Sequence, residues 1–137
     1  MGNRRRIKRG APSQGARVTA QNPPDYNKQP PVFSLEKLQT GKYCLSKLDR
    51  DDKAQFAEAM FRRKQMTWNE IHRDDRHALG TEKIKRNSIK ASTENIAEDA
   101  DIFIAFRYNG KKPMVGYRLR NIFFVLWFDH DFTLYDH

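Results

Sequence analysis

The sequence predicts an α+β fold, with two N-terminal helices packed on a C-terminal antiparallel β-sheet and a disordered basic tail ahead of them. Three observations lead there. Residues 102–128 form three apolar, β-branched and aromatic stretches separated by turn residues. Residues 46–65 are amphipathic and carry acids at the start and bases at the end, as a helix favours. Residues 1–31 are rich in arginine and proline and poor in core-forming side chains. Helices grouped before antiparallel strands give two layers around one core, so the domain is set at 32–137 and the extension at 1–31.

In the extension, seven Lys/Arg face one Asp, whereas the rest of the chain holds 19 basic and 16 acidic residues. The net charge of +9 is therefore largely a property of the tail. Arg4, Arg5 and Arg6 read as a phosphate-binding arm, or as a solvated tail. Residues 32–38 form a short strand or a helical turn. The helix over 46–65 opens near Asp49, Asp51 and Asp52 and closes near Arg62, Arg63 and Lys64, with Phe56, Ala57, Met60 and Phe61 as its core stripe. Thr67 and Glu70 have capping-box spacing and open a short second helix to about Asp74, with Trp68 and Ile71 turned inward. Residues 82–85 suit a short strand and 87–99 a polar loop.

Asn109 and Gly110 are a strong hairpin turn between strands at 102–108 and 111–119, and Arg120 and Asn121 lead into a third strand at 122–128. Residues 133–135 add a short strand or trail off. A two-residue turn at Asn109 and Gly110 pairs Tyr108 with Lys111, Phe106 with Pro113, Ile104 with Val115 and Ile102 with Tyr117. The next turn sets Leu119 against Ile122, Tyr117 against Phe124 and Val115 against Leu126. In this register Arg107, Lys112, Arg118, Phe123 and Trp127 share the face away from the core.

Several classes are excluded. One cysteine, Cys44, permits no internal disulfide and fits a reducing cytoplasm; with four scattered histidines it offers no zinc spacing. No cofactor motif, phosphate-binding glycine loop or nucleophile elbow is present. No apolar run is long enough to span a membrane, and the basic N-terminus lacks the apolar stretch of a secretory signal.

The basic-aromatic face is the candidate binding surface. Arg107, Lys112 and Arg118 supply phosphate contacts, with Arg120 at the rim, while Phe123 and Trp127 offer stacking platforms for single-stranded RNA. The alternative is that the aromatics are covered. His130, between Asp129 and Asp131, is a catalytic candidate or simply turn chemistry; His72 and His77 read as surface or packing residues. Tyr135 and His137 form a candidate proton-transfer pair. Metal-free RNA cleavage needs a base for the 2′-OH, cations for the phosphorane and an acid for the leaving oxygen, and these residue types are all present.

Gly116, Tyr117, Arg118, Leu119 and Arg120, then the apolar strand at 122–127 and the late Tyr135, Asp136 and His137, resemble the RelE/ParE superfamily of toxin–antitoxin proteins. The resemblance implies helices on an antiparallel sheet, an antitoxin partner, and either cleavage of ribosome-bound mRNA (RelE branch) or action on gyrase (ParE branch). Carried over by position, Arg118 and Arg120 would hold the scissile phosphate, and Tyr135 or His137 would transfer the proton. The basic extension, the polar 87–99 stretch and the acids flanking His130 depart from the family pattern. The alternatives are a non-enzymatic RNA- or DNA-binding module using the same face, or a ParE-like protein with a protein target.

Overall fold

The computed structural model describes residues 23–76 and 78–137. Arg4, Arg5, Arg6 and His77 lie outside the described residues. The order is β1 (Val32–Ser34), α1 (Arg50–Arg62), α2 (Trp68–Arg73), β2 (Thr81–Lys85), β3 (Ile102–Asn109), β4 (Lys112–Leu119) and β5 (Ile122–Phe128). Single 3-10 turns occur at Tyr26–Lys28, Leu45–Lys47 and Arg86–Ser88.

The five strands make one sheet in the order β1-β5-β4-β3-β2. β2 to β5 are antiparallel neighbours, but β1 runs parallel to β5, so the sheet is mixed where a purely antiparallel one was expected. A carbonyl in the β4–β5 turn explains how β1 is seated. Arg120 adopts φ 59° there, and the Asn121 oxygen beyond it accepts from the Val32 amide at 2.9 Å and from Trp68 Nε1 at 3.0 Å.

Helix α1 is shorter than expected because Asp49 is its N-cap, accepting from the Asp52 amide at 2.7 Å; such a cap contributes about 1 kcal/mol. Its buried stripe is Asp52, Phe56 and Ala59. Phe61, expected in the core, is 61% exposed, since it lies roughly 140° around the helix from Phe56 at ~100° per residue. The capping box of Thr67 and Glu70 forms as expected, and Trp68 and Ile71 are buried. The folded segment also reaches back past Val32: the Gln29 carbonyl accepts from the Trp68 amide at 3.0 Å.

The β4–β5 register matches expectation at Leu119 with Ile122 and Tyr117 with Phe124. The β3–β4 register does not. Asn109 pairs with Lys112, which moves the turn to Gly110 and Lys111, and a bulge between Arg107 and Asn109 shifts the ladder again, setting Ile104 against Gly116 and Ala105 against Val115. A second bulge, at Val115 and Gly116, puts Val115 opposite Trp127. Slips of one residue exchange the faces. Ile104, Phe106, Met114, Phe123, Val125 and Phe128 meet the helices, while Phe103, Ala105, Val115, Leu126 and Trp127 form a second core on the other face.

That second core is covered by Ile89 and Ile96 of the 86–101 loop and by Leu134 and Tyr135. The loop has an internal organiser: Arg86 donates to the carbonyls of Thr93, Ile96, Ala97 and Ala100. A sheet covered on both sides explains why β5 is almost continuously apolar.

Candidate active site

On the face away from the helices, register builds the site row by row. Glu82, Ala105, Val115 and Trp127 are paired in one row across β2, β3, β4 and β5. In the next row Arg107 pairs with Pro113, whose carbonyl accepts from the Asp129 amide at 2.9 Å. Arg107 and Asp129 thus flank Pro113 at the hairpin end of the sheet. Glu82 lies between two guanidinium groups, with Arg76 Nη1 at 3.5 Å and Arg107 Nη2 at 4.0 Å.

Asp129 folds the following residues back over this row. It is fully buried, and its Oδ1 accepts from the amides of Thr133 at 2.8 Å and Leu134 at 3.1 Å. Its Oδ2 lies 2.8 Å from His137 Nε2, which fixes the ring orientation. Phe132, at φ 61°, makes the reversal. Tyr135 then stacks at 4.2 Å from the His137 ring and is itself buried. Burial, reinforced by the charges of Glu82 and Asp129 and opposed by Arg107 and Arg76, pushes the Tyr135 phenol well above its usual range. The phenol therefore remains protonated at neutral pH.

The reversal is latched from two sides. The Lys90 amide donates to the Leu134 carbonyl at 2.8 Å, and Lys90 Nζ meets Asp136 at 2.7 Å. From the other side, Lys42 Nζ and the Tyr43 hydroxyl each lie 2.9 Å from Thr133 Oγ1.

Of the residues singled out in the sequence, Arg107, Tyr135 and His137 come together here; Arg118 and Arg120 do not. Arg118 pairs with Phe123, and Asp129 lies six residues further along, roughly 20 Å away at ~3.3 Å per residue. Arg118 also points to the helix side, its guanidinium 4.2 Å from the Trp68 ring. The expected shared face of cations and aromatics is therefore corrected. Phe123 is 0% exposed and Trp127 2%, in cores on opposite faces of the sheet, because the bulges separate their parity. Lys112 binds Asp52 of α1 at 2.9 Å. His130 Nε2 donates to the Lys42 carbonyl at 3.0 Å, serving the turn.

Glu82 and Asp129 escaped the sequence reading as site residues. Glu82 sits in a short charged strand that resembles any solvated edge, and Asp129 looks like turn chemistry until its burial is known. Among the described residues no group of three or more metal-ligating side chains comes together, and no helix is long and apolar enough to cross a membrane. Compared with protein-family models, curated proteins and solved structures, the chain matches none of them.

Proposed function

We propose that this chain is a RelE-like toxin, a metal-independent endoribonuclease acting through Glu82, Arg107, Tyr135 and His137, and held in check by a partner antitoxin. The observation that carries the reading is His137, held by a fully buried carboxylate and packed on Tyr135, whose phenol lies in the field of Glu82, Arg107 and Arg76. In the reaction the Glu82 carboxylate takes the 2′-OH proton, and the 2′-oxygen attacks the adjacent phosphorus. Arg107 and Arg76 neutralise the phosphorane, and the neutral Tyr135 phenol donates to a non-bridging oxygen. His137, oriented by Asp129, acts as the general acid and gives a proton to the departing 5′-oxygen. The products are a 2′,3′-cyclic phosphate and a 5′-hydroxyl. Relative to the family-based assignment, Arg107 takes the phosphate role first given to Arg118 and Arg120.

The test is cleavage of end-labelled single-stranded RNA by the full chain in the presence of a chelator. We expect His137→Ala and Arg107→Ala to lose roughly 10²–10⁴-fold in rate, the range for general acid-base and charge-stabilising groups. An active His137→Ala protein with wild-type melting behaviour would sink the assignment. A second reading, a protein target as in the ParE branch, is favoured by the burial of both aromatics proposed for base stacking and by the exposure of Ile102 and Leu119. Growth arrest on expression with intact cellular RNA would select it.

A further inference from the structure

The end of the sheet opposite the proposed catalytic row carries a second built cluster. Arg118 is held on four sides. Its Nε donates to the Arg120 carbonyl at 2.5 Å, its Nη1 to His72 Nε2 at 3.3 Å and its Nη2 to Asn27 Oδ1 at 2.7 Å, and its plane lies over Trp68. Of the five guanidinium N–H groups, three are fixed by the protein and two remain. The rotamer is thus set before any ligand arrives, which is the condition for a strong phosphate contact.

The surroundings combine two guanidinium groups with one carboxylate, Asp25, whose charge reaches Arg118. Burial, then the charges of Arg118 and Lys83, push the His72 imidazole below its usual pKa, and the neutral ring's Nε2 accepts from Arg118 and helps to hold the guanidinium. Arg118 and Arg120 line an open cleft of about 320 Å³ with Pro24, Asp25, Tyr26 and Asn27. Asp25 is the one acid of that lining, and its Oδ1 already accepts from the Asn27 amide at 3.0 Å. In sequence, the cleft residues follow residues 1–22, which contain six Lys/Arg and no acid.

We propose that the Arg118 and Arg120 cleft is a second phosphate-binding site, taking the backbone of single-stranded RNA at a phosphate several nucleotides from the one that is cleaved. The site rests on the RNA reading above but not on catalysis. An arginine this constrained binds a backbone phosphate without reading sequence, so its signature is salt-dependent affinity.

The experiment measures binding of a labelled, 2′-O-methylated 20-nucleotide RNA to the full chain between 50 and 300 mM salt. Wild type is compared with Arg118→Gln and Arg120→Asn, the second chosen because Asn tolerates the positive φ at that position. We expect Arg118→Gln to weaken binding about tenfold and to reduce the slope of log affinity against log salt by about 0.7, one single-strand phosphate contact. We expect Arg120→Asn to weaken binding several-fold in the same direction. Unchanged affinity and slope in Arg120→Asn, or in an Arg118→Gln protein that melts like wild type, would overturn the site. Binding that depends on Arg118 in a wild type unable to cleave RNA would overturn the nuclease reading alone. Cleavage with binding indifferent to both substitutions would overturn this site alone.

Discussion

Lys112 sits 2.9 Å from Asp52, a carboxylate that water barely reaches and that also accepts from Asn109 Nδ2 at 2.9 Å. Burial alone would raise the Asp52 pKa, but hydrogen bonds from Lys112 and Asn109 outweigh it and hold the group below its ordinary value. A carboxyl depressed on folding stabilises the protein above its unfolded pKa of about 4. That contribution is lost as pH falls through the lower folded value. Replacing Lys112 with Met leaves the carboxylate buried with only Asn109 to answer it. We expect a loss of roughly 3 kcal/mol at pH 7, the scale for breaking a buried ion pair. In that variant burial prevails, so the deficit should shrink toward pH 4, because protonating Asp52 then relieves it. Denaturant melts of both proteins across pH 4–7 check the magnitude and the sign.

At the scale of elements, the bulge at Val115 and Gly116 needs a residue without a side chain. A Cβ on Gly116 would overlap the Phe124 carbonyl and press on the Phe123 ring. Backbone cannot yield there as a flexible side chain would, so Gly116→Ala should destabilise by roughly 3 kcal/mol, toward the upper end for overpacking. Equilibrium unfolding measures it. The bulges also mark where the sequence stopped being legible. Apolar, β-branched and aromatic runs bounded by turn residues located all three meander strands nearly to the residue, and charge and capping spacing located both helices. Such a run does not say which partner residue lies opposite. Asn109 and Gly110 indicated a hairpin but not that Asn109 would pair with Lys112, and one slipped residue moved Arg107 away from Lys112 and Arg118. Half of the proposed site was named in the sequence, Arg107 from a register that did not form, and Tyr135 and His137 from residue type and the family resemblance. The other half depends on burial, which made Asp129 an orienting group rather than a turn residue.

At the scale of the whole molecule, the residues before β1 belong to the folded unit. Gln29 binds Trp68 through the backbone and Asn27 binds Arg118, both across the face that carries α2. A chain starting at Val32 should lose about 2 kcal/mol, two hydrogen bonds at ~1 kcal/mol each. Calorimetry of the shortened chain should accordingly show a melting temperature several degrees lower. An unchanged temperature would mean that residues 23–31 rest on the domain without supporting it.

The Asn121 carbonyl, shared by Val32 and Trp68, has a consequence for the order in which the protein assembles. The first strand and the second helix both leave the ribosome long before the turn that receives them. Until that turn exists, neither β1 nor the Trp68 indole has its acceptor, and both must wait in an unfinished, partly apolar state. The meander at 102–128 closes short loops and can form quickly, whereas seating β1 closes a loop of about 90 residues against a larger entropy. The N-terminal third of this protein is thus synthesised first and completed last.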